Sequence, residues 1–146
     1  MRILWLGSVC ILTAIAPAQD DAVKKDLKAF QGTWKLVAME VDGQEVAADK
    51  LSGATLKIQD KKYSLTTGKQ LHEVEITLDP GKKPKEIDMK FLDGPNKDRV
   101  GRGIYQIEGD TLKICRALDP QEARPQDFKT ACKNGYFTIV WQRESR

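Results

Sequence analysis

Leu71-His72-Glu73-Val74-Glu75-Ile76-Thr77-Leu78-Asp79 decides the fold class, because His72, Val74, Ile76 and Leu78 fall on one side of an extended chain and Glu73, Glu75, Thr77 and Asp79 on the other. Alternation of this kind is the signature of a strand with one buried and one wet face. The next apolar stretch repeats it, with Ile87, Met89 and Phe91 inward and Glu86, Asp88 and Lys90 outward. Between the two lies Pro80-Gly81-Lys82-Lys83-Pro84, a turn by composition. The pair reads as a hairpin.

Working outward, further period-two segments are predicted at 34–41, 55–59, 62–67, 102–107, 111–116 and 136–143. Their separators are Asp42-Gly43, Gln59-Asp60-Lys61, Asp93-Gly94-Pro95-Asn96, Glu108-Gly109-Asp110 and Asn134-Gly135. A short strand at 127–131 is expected to pair with the last one across Asn134-Gly135, a strong hairpin signal. Eight or nine short strands on tight turns exclude a parallel sheet, which needs long crossovers. The expected fold is all-β, an antiparallel up-and-down barrel, with a two-layer sandwich as the alternative. Before the strands, Val23, Leu27 and Phe30 recur at helical spacing among Lys24, Lys25, Asp26 and Lys28, predicting a short one-sided helix over 20–31 that Gly32 ends.

The first residues follow a different grammar. Arg2 precedes an apolar run, residues 3–15, that closes on Ala16-Pro17-Ala18, the three-part pattern of a secretory signal with cleavage after Ala18. Cleavage after Ala16 would leave Pro17 as the first residue, a poor geometry for a peptidase. As a helix the run spans only ~20 Å against a hydrocarbon core of ~30 Å, so a membrane anchor is not expected. Cys10 sits inside the run after Gly7-Ser8-Val9 and not in a lipidation box. The expected destination is periplasmic or extracellular, with 1–18 removed and 19–146 forming one domain.

Losing Arg2 takes one from the 24 basic side chains and leaves a formal charge of +2 against 21 acidic ones. With both signs interspersed there is no basic stripe for nucleic acid and no polybasic membrane patch, so neither partner is expected. Cys115 and Cys132 remain after cleavage, and an oxidising compartment permits a bridge between them that would contribute about 3 kcal/mol. Two half-buried thiols are the other reading. Mass spectrometry without reductant separates the two.

At the barrel's entrance stands Gly32-Thr33-Trp34, and in the last strand Arg143 follows Trp141 with the inward parity of Phe137 and Ile139. A cation on a core face is explained if an aromatic ring awaits it. A guanidinium on the Trp34 indole would contribute about 0.5–2 kcal/mol and pin the first strand to the last. Gly-x-Trp with a terminal arginine resembles the lipocalin signature, which implies a calycin-type barrel with Gly32, Trp34 and Arg143 as a structural clasp. Leu78-Asp79-Pro80, Lys83-Pro84-Lys85, Gly103-Ile104-Tyr105, Gly109-Asp110-Thr111-Leu112-Lys113-Ile114-Cys115 and Arg124-Pro125 further resemble a family of small secreted lipocalin-like domains abundant in planctomycete bacteria, across residues 29–143. The resemblance implies fold and compartment but no activity, and Cys132 lies outside its pattern.

Candidate chemistry is sparse. His72, the single histidine, stands on the apolar face near a strand end, where it is a ligand contact or simply a half-exposed terminus. One histidine and two thiols do not assemble a zinc site, and no metal or other cofactor is expected. Glu73 and Glu75 point to solvent. Ser52 and Ser64 lie in no nucleophile elbow, and Gly94-Pro95-Asn96-Lys97-Asp98-Arg99 lacks the ending of a phosphate loop, so catalysis is not expected. Arg116 shares the inward parity of Leu112 and Ile114. With Tyr105 and a returning Arg124 it would suit a carboxylate or sulfate at the barrel mouth. The structural alternative for Arg124 is that it ties its loop down through backbone carbonyls.

The function expected is an exported protein holding a small, partly apolar or anionic molecule, with Tyr105, Arg116, Arg124, His72 and Trp141 as candidate contacts. Inward positions are Leu36; Leu56 and Ile58; Tyr63 and Leu65; Val74 and Ile76; Met89 and Phe91; Ile104; and Phe137, Ile139 and Trp141. Those bulky side chains can also fill a small barrel outright, and the alternative is a solid, non-catalytic module that recognises another envelope protein through its loops.

Overall fold

Period-two patterning closes on itself. The computed structural model describes residues 17–129 and 135–144. Within them the chain runs α1 (Pro17–Phe30), β1 (Gly32–Val41), β2 (Gln44–Glu45), α2 (Ala48–Leu51), β3 (Ala54–Gln59), β4 (Lys62–Thr67), β5 (Gln70–Asp79), β6 (Lys85–Phe91), β7 (Val100–Glu108), β8 (Thr111–Ala117) and β9 (Tyr136–Arg143). From β3 to β9 each strand pairs antiparallel with the next, β1 pairs with β3, and β1 also pairs with β9. The result is a closed eight-stranded barrel with β2 as an added ribbon on the end of β1, turned through Asp42-Gly43, both at positive φ (52° and 78°). That conformation is what a two-residue hairpin requires.

β1 reaches two neighbours because it is long and bent. Gly32–Lys35 face β3, while Trp34 to Val41 face β9, with a bulge between Leu36 and Ala38 that turns the strand from one partner toward the other. Trp34 stands opposite Arg143 in this register. The guanidinium lies 4.1 Å from the centre of the indole ring. Its nitrogens donate to the Ala29 carbonyl at 2.6 Å, to the Gln31 carbonyl and to Asp110 at 3.0 Å, while the indole N–H donates to the Phe30 carbonyl at 2.9 Å. Gly32, at φ +124°, sits close enough that a Cβ there would meet the Arg143 guanidinium at 3.1 Å. Sequence neighbours of the helix end, the first strand, the last strand and the β7–β8 turn are thereby held at one point.

Helix α1 lies over this end. Phe30 is fully buried and meets the Tyr105 ring edge-on at 5.1 Å, and the Gln31 side chain bonds the Leu27 carbonyl and both backbone groups of Asp60 in the β3–β4 turn. Asp26, expected on the polar face among the lysines, is buried instead. Tyr105 and Lys85 both donate to it at 2.7 Å, which satisfies its carboxylate beneath the helix.

Two expectations are corrected. Ile104 does not face the barrel interior: β7 turns Gly101, Gly103, Tyr105 and Ile107 inward, and Ile104 packs outside with Cys115 under Phe128. The outer face of β7 and β8 is apolar here because the connection after β8 folds back over it. Residues 127–129 form a turn and not a strand, since β9 already has β8 on one edge and β1 on the other. Residues 130 and 131 of that expected strand, Asn134 of its turn, Cys132 and the signal segment through residue 16 lie outside the described residues. Cys115 is buried.

Arg143→Lys keeps the charge but loses the planar stack and the fork that reaches three acceptors. It is expected to lower unfolding free energy by about 1–3 kcal/mol, read as a reduced urea midpoint with unchanged slope.

Candidate functional site

Opposite the clasp, the barrel is open. The β4–β5 and β6–β7 turns and the connection out of β8 gather at this end, around a cavity of about 320 Å³. Its wall is mostly apolar, from Leu65, Val74, Met89, Ile114 and Ile139, with Asp93, Gly94, Pro95 and Asn96 at the rim. Tyr63, His72 and Arg116 supply polar groups. A concave, largely apolar site with a few polar groups is the usual form of a small-molecule pocket, and this one lies at the small end of the range of about 300–1,000 Å³.

Arg116 enters the interior from β8 because it shares parity with Leu112 and Ile114. Room for it comes from across the pairing. Gly103 stands directly opposite it on β7, and Gly101 lies one inward position beyond. A Cβ at Gly103 would fall 2.7 Å from the Cys115 carbonyl and 3.2 Å from the Arg116 Cβ, and one at Gly101 would meet the Phe91 ring at 3.3 Å. The guanidinium lies between two phenyl rings, 4.6 Å from the centre of Phe137 and 5.2 Å from that of Phe91. One nitrogen donates to the Ala117 carbonyl at 2.8 Å. Burial among these groups pulls its pKa below the usual arginine value, while the neighbouring Tyr63 phenol works the other way. Arginine remains charged all the same.

Tyr63 lies in the same cavity, and burial is the main cause that pushes its phenol pKa far up; Arg116 nearby opposes that rise. The Trp141 indole N–H approaches the Tyr63 hydroxyl closely enough to favour the phenolate slightly, yet falls short of a formed hydrogen bond. It is the buried side-chain polar atom left without a partner among the described residues. Trp141 itself is fully buried and does not line the cavity.

His72 stands at the rim, half-exposed, with Nδ1 3.3 Å from Asp93 Oδ1. The second Asp93 oxygen accepts the Glu73 backbone N–H at 2.9 Å, and that bond, with His72 adding to it, holds the Asp93 carboxyl below its ordinary pKa. The pair tethers the β6–β7 loop to the start of β5.

The remaining candidates are elsewhere. Tyr105 is buried at the closed end, its hydroxyl committed to Asp26, whose carboxylate, after desolvation, raises the phenol pKa strongly. Arg124 lies over the outside of the sheet. It donates to the carbonyls of Ile87 at 3.1 Å and Gly103 at 2.7 Å, two residues paired across β6 and β7, and to Asp88 at 2.6 Å. These bonds tie its loop to the wall and away from the cavity that Arg116 enters. Tyr63, Phe91, Phe137 and the Gly101-x-Gly103 gap were not singled out as site residues from the sequence. Two inward glycines on a strand paired to an inward arginine would have pointed to them.

Comparison with known proteins yields no matching family model, no similar curated protein and no similar solved structure.

Of the chain's three tyrosines, Tyr63 and Tyr105 hold their protons in the folded state at pH values where an unfolded chain would release them. Their contribution is therefore complete below the unfolded phenol value of about 10 and declines as pH rises past it. Absorbance titration at 295 nm is expected to show two tyrosines ionising only together with alkaline unfolding. Three reversible ionisations near pH 10 with the fold intact would contradict this.

Proposed function

We propose that the protein is an exported, non-catalytic binding protein of lipocalin type that holds one small, partly apolar molecule in the open half of its barrel. The observation that carries this reading is the cavity. One half of the barrel is filled by side chains under α1, and the other retains about 320 Å³ lined by aliphatic and aromatic groups. At ~30 Å³ per water molecule it has the volume of roughly ten waters, enough for a compact ligand. The one histidine among the described lining residues is engaged with Asp93 at the rim. Export rests on the signal-like pattern of the first eighteen residues.

An uncharged solvatochromic probe, 1-aminonaphthalene at pH 7, is expected to bind saturably at one site with a blue-shifted emission. Leu65→Trp, which places an indole in the cavity wall, is expected to weaken that binding at least tenfold while the protein remains folded. Absence of saturable uptake by the wild type, or equal uptake by a folded Leu65→Trp variant, would overturn the reading. Native mass spectrometry of protein taken from its own envelope gives an independent view. A co-purifying small molecule supports the proposal, and a stoichiometric partner protein alone would favour recognition through the rim, where Leu71 is exposed.

A further inference from the structure

We propose that the ligand carries a carboxylate, received inside the barrel by Arg116 beside Tyr63, with its apolar body against the aliphatic wall. This rests on the binding function proposed above and specifies its ligand class.

Two arginines enter this barrel from inward positions, and both lie against aromatic rings. Arg143 is fully provided for: Trp34 beneath it, two backbone carbonyls and the Asp110 carboxylate around it. Arg116 has Phe91, Phe137 and the Ala117 carbonyl. Among the described residues it forms no ion pair. The segments outside them, 1–16, 130–134 and 145–146, contain no aspartate or glutamate. No acidic side chain of the chain is therefore available as its counter-charge. Asp93, the acidic group of the cavity rim, is occupied by His72 and the Glu73 N–H.

A guanidinium offers five donors, and one backbone carbonyl uses a single one of them. The others have no protein acceptor among the described residues and face a mostly apolar cavity, where an arriving acceptor would be bound in place of water. A carboxylate matches the guanidinium fork with two parallel, charge-assisted bonds, geometry that a neutral oxygen or a halide lacks. The Tyr63 hydroxyl is within the same cavity and donates as a neutral phenol. The Phe91 and Phe137 rings, at 5.2 and 4.6 Å, and the Ala117 carbonyl restrict the guanidinium before a ligand comes, which reduces the ordering cost of binding. The glycines at 101 and 103 let the Arg116 side chain pass close against β7, since a Cβ at either would crowd it or its neighbours, and neither contributes a polar side chain to it.

Octanoate and its neutral counterpart octanamide have nearly the same size and differ in charge. Displacement of 1-aminonaphthalene, checked by direct calorimetry, is expected to show octanoate binding the wild type at least tenfold more tightly than octanamide. Octylammonium is expected to bind more weakly than either. In Arg116→Met the octanoate preference should fall below threefold, with octanamide affinity changed by less than threefold. The wild-type comparison stands even where the variant does not fold, and Arg116→Gln provides a second removal of the charge.

Equal affinity for octanoate and octanamide, with the aminonaphthalene still bound, would overturn the carboxylate inference and leave the binding function standing. Failure of all probes to bind the wild type would overturn both. An octanoate preference that survives in a folded Arg116→Met or Arg116→Gln variant would show that the anion is read elsewhere, and would overturn the assignment to Arg116.

Discussion

Closure of β1 against β9 is the constraint on which the rest of this molecule depends, and the Arg143–Trp34 stack stands at its end. An antiparallel sheet of eight strands has two edges, each a row of unpaired backbone groups, and joining the first strand to the last removes both. The junction joins the two strands farthest apart in sequence, so its closure carries a loop-entropy cost that the contacts there must offset. Here a guanidinium bridges that separation with a ring contact and bonds to the helix end and the β7–β8 turn. The bulge in β1 makes the geometry feasible, letting one strand serve β3 with its first residues and β9 with the remainder.

With one end secured, the barrel's interior becomes unequal along its axis. Phe30, Trp34, Tyr105 and Trp141 crowd the end beneath α1, and their polar atoms are largely satisfied there: Tyr105 on Asp26, Trp34 on the Phe30 carbonyl. The opposite end receives aliphatic side chains together with Tyr63, Phe91 and Phe137. A small barrel is able to fill itself entirely or to leave room for one small molecule, and this one keeps a cavity of about 320 Å³ at its open end.

Most of the architecture was legible because each strand with one wet face carries its own parity. The stretch 73–79 alternates without an exception, and its burial follows that alternation through Val74, Ile76 and Leu78. Turn residues marked the boundaries to within two residues at nearly every strand. Legibility failed where a strand is apolar on both sides. In β7 the run Gly103-Ile104-Tyr105 is apolar on both faces, and Ile104 was assigned inward although it shares the parity of exposed Arg102 and Gln106 and is covered from outside by Phe128. Asp26 failed for a related reason: a carboxylate in a lysine-rich helix reads as solvated, and only the tertiary approach of Lys85 and Tyr105 makes its burial favourable. The site was half legible. Arg116 could be placed inside by parity, and His72 at the rim, but Tyr105 and Arg124 belong to places that no local pattern distinguishes from the mouth.

The two inward arginines show why a residue type alone does not define a role. Both stack on aromatic rings, and both stand one strand-end away from solvent. What separates them is the acceptor inventory. Around Arg143 the chain supplies carbonyls and a carboxylate in positions fixed by α1 and the β7–β8 turn, so the cation completes the fold. Around Arg116 the chain supplies rings, one carbonyl and empty volume. The two ring contacts and the single carbonyl bond place this cation but leave most of its donors without a protein acceptor. On the binding function proposed above, a ligand that brings acceptors would complete its hydrogen bonding, with the guanidinium already placed against Phe91 and Phe137.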